Sequence, residues 1–188
     1  MNHSLSMLIL FFGLLATAWG DKPEFHLVEG DVVAFMGGTN MLRLVQSGHL
    51  ETQLTDVFAK SKPKFRDLSW EADTVYRQGT EIERWRKDGF GGLEEQLKRL
   101  RVTHAFVQFG QLESMDGPEK LDEFSRAFDR FLTMLGKQVK TIVVLTPFPF
   151  ESVSDPNLPD LRSRHAESRK KYAAVVARAK SRENVVCV

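Results

Sequence analysis

Apolar residues along this chain fall into two alternating kinds of segment. Val32 to Met36, His104 to Phe109, Lys140 to Thr146 and Asn184 to Val188 are short runs with little polar alternation, which predicts strands covered on both faces; Lys64 to Ser69 supplies a shorter strand. Between them apolar positions recur at helical spacing. Leu42, Val45, Leu50, Leu54, Val57 and Phe58 line one face from Asn40 to Lys60, with a break at Gly48. Leu93, Leu97 and Leu100 mark a second helix, and Leu121, Phe124, Phe128, Phe131, Leu132 and Leu135 mark a third from Pro118 to Gly136. A long helix from Asp160 to Ser181 packs through Ala173, Val176 and Ala177 or Ala179. Five strands alternating with helices call for right-handed crossovers, hence a flavodoxin-like three-layer α/β/α domain around a five-stranded parallel sheet.

The amino terminus stands outside this pattern. Residues 4–19 are almost continuously apolar, too short to span a bilayer comfortably but right for a secretory signal, and Ala18-Trp19-Gly20 offers small residues where a signal peptidase reads. The expected organisation is a signal peptide over 1–20 and one domain over 21–188, exported to the periplasm or secreted, with no membrane span after cleavage; an uncleaved anchor is the alternative. A single cysteine, Cys187, leaves no internal disulfide, and its place in the last strand suits a small buried thiol. The formal charge of +1 gives no reason to expect nucleic acid as a partner. Eight basic residues between Arg162 and Arg182 are interleaved with Asp160, Glu167 and Glu183 and lack stacking aromatics beyond Tyr172, so they read as a solvated face. No residue pattern implies a metal or a cofactor.

Candidate chemistry begins where the first strand stops. Gly30-Asp-Val-Val-Ala-Phe-Met-Gly-Gly-Thr-Asn40 reads as a strand, a sharp turn at Gly37-Gly38 and a helix that Thr39 or Asn40 can cap. This arrangement sets Thr39 at the carboxyl edge of the sheet, where open α/β folds bind ligands. The stretch resembles the first block of the SGNH (GDSL-type) hydrolases, a strand ending in Gly-Asp-Ser. By that resemblance the nucleophile position is Thr39, and Gly38 stands where the family has aspartate. Asp67-Leu-Ser-Trp-Glu-Ala-Asp-Thr-Val75 resembles the second block, Asn-x-Gly-x-x-Gly, and puts Ala72 at the position whose backbone N–H binds the oxyanion. An alanine in a left-handed turn there would cost roughly 1–2 kcal/mol. Gly110-Gln-Leu-Glu113 resembles the third block: Glu113 keeps the acidic position, while Leu112 replaces the asparagine whose amide donates to the oxyanion. Gln111 is then a possible substitute donor.

The resemblance implies an ester hydrolase acting on acyl or acetyl esters of carbohydrate or lipid, with a degraded site. Threonine carries the hydroxyl but adds a methyl that stiffens χ1 and crowds attack. The family's histidine lies in a late Asp-x-x-His block that these 188 residues do not contain, and His26, His49, His104 and His165 are not placed by the topology to replace it. Little or no hydrolysis by these residues alone is therefore expected. The alternative is a non-catalytic module that keeps the cleft for carbohydrate or protein; a phosphate- or nucleotide-binding flavodoxin-like protein ranks third. Gly89-Phe-Gly-Gly92 lacks the following lysine and hydroxyl of a phosphate loop and reads as a helix start, within a polar excursion from Tyr76 whose Trp85 and Phe90 can line the site.

Overall fold

The computed structural model describes residues 25–78, 89–152, 155 and 157–188. Five strands form one sheet: β1 (Val32–Gly37), β2 (Lys64–Asp67), β3 (His104–Gln108), β4 (Thr141–Val144) and β5 (Val185–Cys187). Every pairing is parallel, in the order β2-β1-β3-β4-β5. All of β1 and β3 is buried, as strands covered on both faces must be. The edge strand β2 keeps Lys64, Arg66 and Asp67 exposed, and its charges blunt an otherwise open edge.

Among the described residues six α-helices flank the sheet: α1 (Thr39–Gln46), α2 (His49–Val57), α3 (Leu93–Leu100), α4 (Leu121–Gly136), α5 (Leu161–Arg164) and α6 (Ala166–Ala177). Successive strand residues point to opposite faces and build two separate cores. Val32, Ala34, Met36, Ala105, Val107, Ile142 and Val144 pack with Leu97 of α3, the Phe124–Leu135 stripe of α4 and Tyr172 of α6. Val33, Phe35, Phe106 and Val143 pack with Met41 and Leu54 of α1 and α2 and with Leu27. Since β1 sends its connection to one face and β3 to the other, the topological switch falls between β1 and β3.

The break at Gly48 is a left-handed residue, φ 71°, between α1 and α2. The glycine stretch starts α3: Gly92 is the N-cap and the Gln96 side chain donates to the Gly91 carbonyl at 2.8 Å. The expected single helix from Asp160 to Ser181 is instead α5, α6 and a 3₁₀ turn over Arg178–Ser181. His165, at φ −109° and ψ 9°, makes the break. Tertiary contacts fix it there: the His165 ring lies 5.9 Å from that of Phe150, Ser168 donates to the Ser114 carbonyl at 2.7 Å, and Arg169 to the Pro147 carbonyl at 3.1 Å. Pro118 likewise opens a 3₁₀ turn before α4.

At the amino edge of the sheet, buried Asp31 accepts from the Val28 N–H and from Lys140 Nζ at 3.0 Å, with His104 Nδ1 at 3.8 Å. Phe25 packs edge-on against Phe58, His104 and Phe106, which ties the described residues ahead of β1 to the rest of the domain. Cys187 is half-buried and burial raises its thiol pKa, in keeping with a packing role. No described helix is long and apolar enough to cross a membrane. The proposed signal over 1–20 lies outside the described residues.

Candidate functional site

The glycine pair after β1 is required by proximity. A Cβ at Gly37 would collide with the Gln108 carbonyl oxygen and with Met41 Cβ, and one at Gly38 would lie 2.7 Å from the Asp73 carbonyl oxygen. The loop after β2 thus lies against Gly38, leaving no room for the aspartate that the resemblance places there. Gly38 is itself the N-cap of α1 and Thr39 the first helical residue. Neither Thr39 nor Asn40 caps the helix by its side chain, contrary to the expectation from sequence, because they stand one and two positions past the N-cap.

The hydroxyl of Thr39 has a different partner. Its Oγ1 accepts from the Ala72 N–H at 2.9 Å, across 33 positions of sequence. The loop that brings Ala72 there is held at several points. Asp67 Oδ1 accepts from the Ser69 N–H and hydroxyl, the Trp70 N–H donates to the Gly37 carbonyl at 3.0 Å, and the Asp73 N–H closes a turn onto Trp70 at 3.2 Å. Within that turn Ala72 sits at φ 54°, the left-handed conformation in which a Cβ is strained. The strain keeps an N–H aimed at Thr39.

The third block closes the site from β3. Gly110, at φ 101°, leaves no room for a Cβ beside Pro147 and Phe124. Glu113 is 2% exposed and accepts with both oxygens, from the Gly110 N–H at 2.7 Å and the Val75 N–H at 2.8 Å. One carboxylate therefore ties the loop after β3 to the loop that carries Ala72. Burial, reinforced by the nearby Asp73 charge, pushes the Glu113 carboxyl up to about 7, against the two N–H bonds that favour its ionised form. Asp73 is also buried and accepts from the Thr74 N–H at 3.0 Å and from Gln78 at 2.7 Å.

Gln111 has hydrogen-bond partners other than Thr39. Its Nε2 donates to the carbonyls of Phe148 at 3.0 Å and Pro149 at 3.3 Å, while its Oε1 accepts from Asn40 Nδ2 at 2.5 Å. The amide that sequence suggested as a substitute oxyanion donor is committed elsewhere. Leu112 is 36% exposed and brings no donor. Trp70 and the half-exposed Phe90 form an edge-on aromatic pair, 5.9 Å between centroids, beside the Ala72 loop; Trp85 lies outside the described residues. Among the described residues the Ala72 N–H is the hydrogen-bond partner of the Thr39 hydroxyl, and no histidine or carboxylate touches it. His104 is buried at the opposite edge of the sheet, and His165 lies against Phe150. No described group of three or more His, Cys, Asp or Glu could hold a metal ion.

Sequence reasoning missed Asn40 and Asp73. Asn40 directly follows Thr39 and was taken up by the capping argument; its real partner is 71 positions away. Asp73 carries no local signal, since its burial depends on where the loop folds.

No protein-family profile and no curated protein matches this chain. Solved structures do. The acetylxylan esterase Axe2 of Geobacillus stearothermophilus superposes with a TM-score of 0.60 at 16% identity, over 86% of this chain and 77% of that one. LAE5, an alpha/beta hydrolase enzyme from the metagenome of Lake Arreo, Spain, superposes with a TM-score of 0.56 at 17% identity, over 86% and 78%. At these identities the shared property is architecture, and the fold of this chain is the three-layer α/β/α fold of the SGNH hydrolase type.

Proposed function

We propose that the crevice at the carboxyl edge is an ester site of SGNH type, taking acyl or acetyl esters of carbohydrate or lipid in an exported protein. The observation that carries this reading is the Thr39 hydroxyl held at 2.9 Å from the Ala72 N–H. That contact joins the nucleophile position to an oxyanion-donor position through two separate loops. The solved structures of similar fold include acetylxylan esterases, among them forms described as catalytic mutants in which a serine, an aspartate or a histidine is replaced.

In acyl transfer at this site, Thr39 Oγ1 attacks the ester carbonyl carbon and the alcohol leaves with a proton. Water then releases the acid and restores the hydroxyl. The developing oxyanion is met by the Ala72 N–H and by the Thr39 N–H, which as the first of the helix has no partner within it. Two elements are weak. Leu112 offers no side-chain donor, and no described side chain that touches Thr39 can take its proton, so turnover by these residues is low.

The same two deficits favour a second reading, a binding module that keeps the cleft without the chemistry. Turnover of p-nitrophenyl acetate and binding of an acetylated xylo-oligosaccharide separate the two. The esterase reading expects activity abolished in Thr39→Ala and raised by roughly 10²–10³ in Leu112→Asn. Binding that survives Thr39→Ala, with no turnover in any variant, supports the module. Export is tested by mass spectrometry of protein recovered outside the cytoplasm, with a mature terminus at Asp21 expected.

A further inference from the structure

The crevice between β1 and β3 is the place where this sheet topology binds ligands, and here two side-chain amides span it. Asn40 stands in the first turn of α1; Gln111 stands on the loop after β3. The orientation of the Gln111 amide follows from chemistry: the carbonyls of Phe148 and Pro149 can only accept, so its NH₂ faces them and its Oε1 is left for Asn40. The Gln111 main chain is also fixed, its carbonyl accepting from the Ser114 hydroxyl at 2.6 Å and the Ser114 N–H at 3.2 Å. Gln111 is therefore the hub through which α1, the loop after β3 and the loop after β4 are joined.

The loop after β4 depends on that hub. Two prolines, Pro147 and Pro149, remove backbone donors from it, so it is held chiefly through its carbonyls. Arg169 and His165 hold its far side, at the Pro147 carbonyl and the Phe150 ring; Gln111 holds the side facing Thr39. Between these tethers Phe148 is 44% exposed although apolar, at the same edge of the sheet as exposed Leu112. An aromatic ring kept at that edge by hydrogen bonds on both flanks suits a wall against which a ligand packs.

The geometry points to Gln111 as a positioning residue: with Asn40 it forms a clasp across the crevice that fixes residues 147–150 as the wall of the cleft opposite the Ala72 loop. This inference rests on reading the crevice as an ester-binding site, but the clasp itself can be tested separately. Gln111→Glu keeps an acceptor for Asn40 and turns carboxylate oxygens toward two carbonyls, which opens the loop alone. Gln111→Met removes all three bonds with little change of volume and serves if the charged variant folds poorly.

Two measurements on the full chain decide the matter. Backbone order parameters from nitrogen-15 relaxation at Phe148, Phe150 and Glu151 are expected to fall in both variants, from the rigid value of about 0.85 towards the flexible range below about 0.6, with β1, β3 and α4 unchanged. The Kd of an acetylated xylo-oligosaccharide, measured by calorimetry, is expected to weaken roughly tenfold in Gln111→Glu while the melting temperature moves little, as loss of two hydrogen bonds at a positioned wall requires. Unchanged order parameters at these positions overturn the clasp. Lower order parameters with an unchanged Kd also overturn the proposal, because the loop is then not a wall of the site. A wild-type protein that does not bind this probe counts against the ester reading alone, and the relaxation result still decides the clasp.

Discussion

Asp31 and Glu113 are the same functional group at the same depth, 3% and 2% exposed, at opposite edges of one sheet, yet their acidities move in opposite directions. Burial pushes both upward. At Asp31 the Val28 N–H, Lys140, Thr103 and His104 together outweigh burial and hold the carboxyl below its ordinary value of 3.8. At Glu113 only backbone N–H groups oppose burial, Asp73 adds a like charge, and the carboxyl rises to about 7. The comparison teaches that low exposure alone does not fix a carboxylate's acidity: the Val28 N–H, Lys140, Thr103 and His104 together outweigh desolvation at Asp31, whereas the backbone N–H groups of Val75, Glu113 and Gly110 do not at Glu113. The amino edge is thus a closed ion network that serves stability, whereas the carboxyl edge spends its buried acid on holding two loops in register beneath Thr39.

The largest effect is expected from breaking the carboxyl edge. Glu113→Ala leaves the Val75 and Gly110 N–H groups buried without acceptors, at about 1–3 kcal/mol each, so urea denaturation is expected to show a loss of about 2–6 kcal/mol. Asp31→Asn keeps one acceptor oxygen, for Val28 or for Lys140 but not for both, and removes the charge, and a loss of about 1.5–3 kcal/mol is expected at pH 7. Because the native pKa of Asp31 is depressed, its contribution is present above about 3.8 and fades as pH falls through the native value. The gap between wild type and Asp31→Asn is therefore expected to narrow in acid.

Between pH 4.5 and about 7 the two edges oppose each other. Glu113 binds a proton more tightly folded than unfolded, so its contribution falls as pH rises from 4.5 to about 7 and is flat above. Burial lowers the pKa of His104 below 6.5, so the unfolded chain binds the extra proton and this contribution is lost as pH falls below 6.5. Partial cancellation is expected in the wild type. Glu113→Gln is expected to leave stability rising with pH across this window and His104→Gln to leave it falling. The limit is about 1.4 kcal/mol per pH unit for one proton, read from denaturation curves at half-unit intervals. Matching slopes in both variants would contradict the assignment of opposite shifts. The smallest effect is a gain: Ala72→Gly releases the left-handed strain at φ 54° at the cost of a looser unfolded chain, for a net stabilisation of up to about 1 kcal/mol.

The architecture was legible in the sequence because it is written in local periodicity. Buried strands such as Val32–Gly37 and the Phe124–Leu135 stripe of α4 show their faces in the order of their own residues, and the alternation of such segments dictates a parallel three-layer fold. Thr39, Ala72 and Glu113 are marked not by periodicity but by resemblance to the SGNH blocks, each block falling past a strand whose end is visible in the pattern. Tertiary structure alone decided what these residues touch. That Gly38 abuts Asp73, that Ala72 aims its N–H at Thr39, that Glu113 binds two loops and that Gln111 joins Asn40 to the β4 loop all depend on segments 33 to 71 positions apart being brought within a few ångströms. The break at His165 has the same origin, since helix propensity runs unbroken through Asp160 to Ser181 and only the contacts of Phe150, Ser114 and Pro147 interrupt it. Periodicity records which side of an element is buried; it holds no information on which distant polar group will face a given donor, because that choice is made by the packing of the whole sheet.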